Sequence, residues 1–361
     1  MLINNINYYK LYQTNKDKIK IKKELKKINI FLAFFIIYLF ILIYLIADII
    51  LKKKKNQFHN DKNLKNYITN KNINSSNKTF AIISRPSCIT AGLLSYYFTY
   101  LACVKLFLDI GYIPIIDTQS FPNILNGFNI SSSTENSWEI FFNQPFGYKL
   151  RDVKNNIKNI KYLECKTLSY RPNINTFYEN EYLIKYWHNM AEKYIPIKKE
   201  IIYESNLIFK KLLKNSANVL GIILRGTDYL SIKPKDHPIP PSSEIVIKDI
   251  KLYDNKNKYD MFFLATEDDL IREKFINEFK TKLKYLIPNP KINYNYTTKL
   301  HIAFTKNMKG NINNMKSYLI NIIIVSKCID MISSKCYGAV GALALTKGFR
   351  YKKIYDLGVY K

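Results

Sequence analysis

Apolar positions fall into three regimes along the chain. Residues 30–51 (IFLAFFIIYLFILIYLIADIIL) are apolar on every face, with Asp48 as the only charge. At about 1.5 Å per residue the run spans roughly 30 Å, the thickness of a hydrocarbon core. A buried core helix does not fit, because Lys22, Lys23, Lys26 and Lys27 bracket it on one side and Lys52 to Lys55 on the other. A cleaved signal peptide does not fit either, since the run is too long and no small-residue cleavage site follows. The pattern predicts a single-pass transmembrane helix after a basic tail, residues 1–29. The two flanks are nearly matched in basic residues, which leaves open whether the rest of the chain faces the cytoplasm or a lumen. Residues 52–78 are polar, rich in Asn and Lys, and lack apolar periodicity; that composition reads as a solvated stem.

From Thr79 onward short apolar runs alternate with longer periodic ones. TFAIIS reads as a strand ended by Pro86, AGLLSYYFTYLACVKLFLDIG as a buried helix, and YIPIID as a second strand. Strand, helix, strand in that order predicts a parallel pair. NSWEIFF, around Trp138, is aromatic and turn-rich, and reads as a cleft wall or as core packing. VLGIIL and MFFLA are continuous apolar runs, as in strands buried on both faces, with the helix-like SSEIVIKDIKLY between them. Ile271, Phe275, Phe279 and Leu283 recur every fourth residue, a helical stripe. SYLINIIIVSKC predicts an apolar helix, IDMIS the strand it feeds, and GAVGALALTKG another helix. The fold class is α/β, with two Rossmann-like halves at residues 79–205 and 206–361 behind the transmembrane helix and stem, and the ligand between the halves.

Charge changes this picture little. The formal net charge is +28. The first 78 residues hold 16 Lys against Asp17, Glu24, Asp48 and Asp61, and the remaining excess is scattered. Lys, Asn, Ile and Tyr are abundant together while Arg is scarce, as AT-rich codons would give. No zinc-finger, helix-turn-helix or RNA-recognition signature accompanies the charge, so no nucleic-acid partner is expected. Five cysteines (Cys88, Cys103, Cys165, Cys328, Cys336) without a CxxC pair make a disulfide framework or structural zinc site unlikely, leaving room for one or two bridges.

P-loop, GxGxxG, HExxH and GxSxG motifs are absent, as is a DxD that would hold a metal-bound nucleotide sugar. Three constellations remain, at carboxyl ends of predicted strands or on a helix. Arg225-Gly226-Thr227-Asp228 follows GIIL and leads to His237-Pro238-Ile239. A guanidinium leaving a buried strand can grip a diphosphate through two parallel hydrogen bonds, or it can pair with Asp228 across the turn. Thr266-Glu267-Asp268-Asp269 follows MFFLA, and Thr266 or Asp268 could simply cap the next helix. Asn321 and Ser326 interrupt an apolar helix, and Ser333-Ser334 end the next strand.

In order, ILRGTDYLSIKPKDHPI, FFLATEDD and LINIIIVSKCIDMISSKCYG resemble the motif set of the GT-B fucosyltransferases, nearest to the α1,6 branch and related to the α1,2- and protein O-fucosyltransferases. RPSCITAGLLSYYFTY, NSWEIFF and the closing KKIYDLG fit the same family more loosely, so the resemblance spans roughly residues 80–358. It implies that 79–205 is the acceptor side and 206–361 binds the nucleotide sugar. It further implies inverting, metal-free transfer of fucose from GDP-fucose to a glycan hydroxyl, with no cofactor. Arg225 would then bind the β-phosphate and stabilise the leaving diphosphate. Gly226, Asp228, His237, Thr266, Glu267 and Asp268 would line the cleft, Asn321 would stand where the family has an Asp reading guanine, and Ser333 and Ser334 would approach the phosphates. Ile223 replaces a His that often precedes the Arg, and Cys336-Tyr337 replace a Ser pair. The family's general base would fall at Lys233, so under the resemblance Asp236, the one acid between Tyr229 and His237, would take that role. A relative using another nucleotide sugar, or a non-catalytic glycan or nucleotide binder, carries the same motifs.

Overall fold

The computed structural model describes residues 79–88, 91–128, 135–157, 159–165, 171–214, 216–226, 228–287 and 308–361. The expected transmembrane helix and stem lie outside them. Among the described residues no helix is long and apolar enough to cross a membrane.

The chain first forms β1 (Phe80–Ser84), α1 (Leu93–Asp109), β2 (Ile113–Ile116), α2 (Trp138–Phe141), α3 (Leu150–Asn156) and β3 (Ile160–Glu164). Two helices follow, α4 (Glu181–Tyr194) and α5 (Lys199–Leu213). Next come β4 (Val219–Ile223), α6 (Asp228–Ser231), α7 (Ser243–Asn257), β5 (Met261–Ala265), α8 (Asp269–Phe279) and β6 (Leu283–Tyr285). The chain closes with α9 (Met308–Ser326), β7 (Asp330–Ser334), α10 (Tyr337–Leu345) and β8 (Tyr351–Tyr355).

The strands make two wholly parallel sheets, a three-stranded one ordered β2-β1-β3 and a five-stranded one ordered β6-β5-β4-β7-β8. From central β4 the chain winds outward through β5 to β6, then returns to lay β7 on the other side of β4. The order therefore reverses between β4 and β7, the place where parallel α/β sheets generally leave a crevice at their carboxyl ends.

β4 is buried at all five positions, which its unbroken apolar run demands. A Cβ on Gly221 would lie 2.8 Å from Val325 Cγ1, so α9 approaches this face as closely as a glycine allows. On the opposite face Val246, Ile250, Ile271 and Phe275 of α7 and α8 close over Leu220, Ile222, Phe262 and Leu264. The smaller sheet buries Phe80, Ile82 and Ile115 against Leu150 and Val153. Trp138 is fully buried and meets Tyr97, Tyr100 and Phe142; of its two readings, core packing holds.

The helical stripe is corrected at its end. α8 stops at Phe279, Lys280 takes φ 45°, and Leu283 begins β6. The fourth-residue spacing persists because both the helix and the strand bury their apolar side chains in the same cluster. One of the two allowed bridges exists: Cys103 of α1 is bonded to Cys165, just past β3, while Cys328 and Cys336 are buried free thiols. α10 packs on α4 and α1, and His188 Nδ1 lies 2.8 Å from the Ala344 carbonyl.

Candidate functional site

The crevice at the β4/β7 reversal is built by three strand ends. Arg225 follows β4, Glu267 follows β5, and Ser334 ends β7. The Arg225 amide donates to Ser334 Oγ at 3.3 Å, which ties the two central loops together. Its guanidinium lies 3.4 Å from Glu267 Oε1 and 4.8 Å over the Tyr229 ring. The same Glu267 oxygen accepts from the Gly226 amide at 3.2 Å. Arg225 keeps 21% of its side chain exposed, so the fork is oriented by the fold yet open to a ligand.

Gly226 is fixed by space. A Cβ there would fall 2.2 Å from Asp268 Oδ2, a distance no side chain tolerates. Asp268 cannot retreat, because it is buried and caps α8 by accepting from the Ile271 amide at 3.0 Å. Thr266 Oγ1 in turn accepts from the Asp268 amide at 3.2 Å. Of the two residues read as possible caps, Asp268 is the one used. Asp268 therefore shapes the floor beneath Gly226, and Glu267 is the member of the trio that reaches Arg225.

The other expected residues separate. Ser333 is fully buried and donates to the Ser334 carbonyl, so only Ser334 meets Arg225. Asn321 donates from Nδ2 to the Ser317 carbonyl of its own helix at 3.1 Å, leaving its buried Oδ1 without a hydrogen-bond partner. His237 lies edge-on to Tyr229, with ring centroids 5.4 Å apart, and so borders the Arg225 group. Asp236 is exposed, has φ 63°, and its amide donates to the Tyr360 carbonyl. Asp228 opens α6, but its side chain and that of Thr227 lie outside the described residues.

Sequence reasoning gave no role to Tyr229, Tyr318, Tyr178 or Arg171, and placed Cys336 only through the family's Ser pair. Tyr229 underlies Arg225 as a cation–π partner. Tyr318 on α9 is half-buried where the field of Arg225, Glu267, Cys336 and Tyr229 reaches it, and desolvation pushes its phenol well above the ordinary range. Burial likewise raises the Cys336 thiol, against the pull of the Ala339 and Gly338 amides and of Arg225. Tyr178 accepts from the Cys336 amide at 2.9 Å and donates to its carbonyl at 3.1 Å, locking the start of α10. Spacing gave a signal only for Tyr229, four residues after Arg225 on the same turn. From the smaller sheet's side Arg171 covers the Tyr337 ring at 5.3 Å and donates to Thr99 Oγ1 at 3.1 Å. No group of three His, Cys, Asp or Glu able to hold a metal ion occurs among the described residues.

The chain resembles solved fucosyltransferases. It matches the NodZ α1,6-fucosyltransferase soaked with GDP-fucose at TM-score 0.43 and 13% identity, over 74% of this chain and 93% of that one. NodZ from Bradyrhizobium matches at TM-score 0.38 and 12% identity, over 71% and 88%. POFUT1 in complex with GDP matches at TM-score 0.42 and 9% identity, over 77% and 99%. No family model and no curated protein sequence matches.

Proposed function

We propose that this chain is a glycosyltransferase that binds a nucleotide sugar at the β4/β7 reversal and transfers fucose from GDP-fucose to a glycan hydroxyl. The observation that carries the reading is the placement of Arg225. A scarce arginine leaves the central strand of a parallel sheet at its switch point, with its amide tied to Ser334 and its fork presented over Tyr229. Ligands of parallel α/β sheets bind at such points, and a planar fork suits a diphosphate better than an ammonium does.

In the proposed reaction the acceptor oxygen bonds to the sugar's anomeric carbon as the carbon–oxygen bond to the diphosphate breaks, with inversion. Arg225 and the amides at the start of α10 stabilise the negative charge that gathers on the diphosphate. Asp236 takes the acceptor's proton. The two sheets act as GT-B halves, residues 79–205 on the acceptor side and 206–361 on the donor side. Residues 30–51 anchor the protein, so the full-length chain should sediment with membranes and leave them only with detergent. Recovery in the soluble fraction would remove the anchor from the scheme.

Asn321 supports a second reading, the same fold with another donor. A neutral amide stands where the resemblance implies a carboxylate, and its Oδ1 is buried without a hydrogen-bond partner, so nothing at this position selects guanine over uracil or cytosine. Calorimetry of the full chain with GDP, UDP and CMP, each with and without EDTA, separates these. Tight binding of GDP alone, indifferent to chelation, supports GDP-fucose and metal-free binding. Preference for UDP or CMP moves the donor, and binding of none of them overturns the proposal.

A further inference from the structure

Beside the Arg225 crevice lies a second cavity, of about 260 Å³, at the carboxyl ends of β7 and β8. One wall is Tyr178, Glu179 and Glu181; the other is Lys335, Lys352, Ile354 and Asp356. We infer that this cavity is an acceptor subsite for one neutral monosaccharide unit. The inference rests on the glycosyltransferase reading for its role in the reaction, though the binding it proposes can be tested without it.

Three observations select the ligand class. The first is size. The cavity is smaller than the roughly 300–1,000 Å³ that encloses drug-sized ligands, so a nucleotide sugar does not fit and a single sugar ring does. The second is charge. Three carboxylates face two ammonium groups, and both lysines are already engaged. Lys335 pairs with Asp356 at 2.6 Å and donates to the Asn175 carbonyl at 3.0 Å, while Lys352 pairs with Glu181. A net acidic lining with committed cations repels phosphate and carboxylate ligands. It still offers carboxylate oxygens as acceptors for hydroxyl groups, and Glu179, exposed on the rim, has no ion-pair partner among the described residues. The Ile354 side chain adds an apolar patch suited to the C–H face of a sugar ring.

The third observation is position. Tyr178 belongs to both places: it lines this cavity, and its hydroxyl holds the Cys336 backbone at the start of α10. Cys336 lies close enough to Arg225 and Glu267 for their charges to act on its thiol. Tyr178 and Cys336 thus connect the cavity to the proposed donor crevice.

Saturation-transfer NMR of the full chain with methyl glycosides of glucose, galactose, mannose and N-acetylglucosamine at millimolar concentration tests the assignment. At least one should receive saturation. Ile354→Arg, which fills the cavity, should abolish the signal. Glu179→Ala should weaken binding about tenfold, the loss of one hydrogen bond to a charged acceptor. Both variants should keep the wild-type far-UV circular dichroism spectrum and unfolding midpoint, which report that they fold, and any GDP affinity should stay at the wild-type value. No signal from any neutral glycoside, or a signal that survives Ile354→Arg, overturns the subsite. So does stronger binding of inorganic phosphate or of ethanolammonium that Ile354→Arg removes. If the glycoside binds as described while GDP does not, the donor proposal fails and the subsite stands.

Discussion

Lysine and arginine together number 56 in this chain, and only six are arginine. Where an ammonium is the default cation, a guanidinium stacked on Tyr229 and facing Glu267 marks a place where planarity matters. Arg225→Lys keeps the charge and loses the fork, so turnover should fall by about 10²-fold or more. GDP affinity, read by calorimetry, should fall with it because the diphosphate contact exists before reaction. Asp236→Asn should instead slow turnover by roughly 10²–10⁴ with GDP affinity unchanged; parallel losses of affinity would put Asp236 in the donor pocket and the base elsewhere. Gly226→Ala is a different kind of change. Its methyl collides with Asp268, and relieving the collision displaces the α8 cap, so stability should drop by about 1–3 kcal/mol. Chemical denaturation followed by far-UV circular dichroism measures that loss, and a midpoint equal to wild type would mean the loop yields freely.

At the level of elements, the strongest polar anchor lies at the opposite edge of the sheet from the site. Asp330 is fully buried at the start of β7, where it accepts from Tyr259 Oη at 2.5 Å, Arg350 Nε at 3.1 Å and the Tyr351 amide at 2.9 Å. It binds β7 to β8 and to the loop before β5. Asp330→Ala strands those donors and should cost about 3 kcal/mol in urea unfolding; a loss below half that would assign the anchoring to the sheet alone. Nothing in the local sequence IDMIS announced this carboxylate, because its partners come from 21 and 71 residues away. The strands themselves were legible, since FAIIS, VLGII and MFFLA are unbroken apolar runs that fit nowhere but a sheet covered on both faces. β3 was not, because IKYLE is half exposed and lacks that run. Of the site, Arg225, Gly226, Glu267 and Asp268 could be read because strand ends concentrate function. Tyr318 and Tyr178 could not, for a tyrosine inside an apolar helix or loop carries no mark of the cleft it will border.

For the molecule as a whole, the two sheets differ in how they are secured. The five-stranded sheet is covered by long helices on both faces. The smaller one has a half-exposed edge strand, β3, whose exit is tied by Cys165 to Cys103. The ends of that link are 62 residues apart in sequence. Closing a loop of this length in the unfolded chain removes entropy worth about 4 kcal/mol. Such a bond persists only in oxidising surroundings, which makes the three-stranded sheet sensitive to the redox potential around it while the five-stranded sheet, which carries no bridge among the described residues, is indifferent. Protein made where thiols stay reduced should lose protection from amide hydrogen exchange in β1, β2 and β3 first, with β4 and β7 unchanged, and Cys103→Ser/Cys165→Ser should behave the same in oxidising medium. Uniform loss across both sheets would mean they unfold together. With loss confined to the smaller sheet, a single covalent link lets the compartment decide when that half of the molecule is held together.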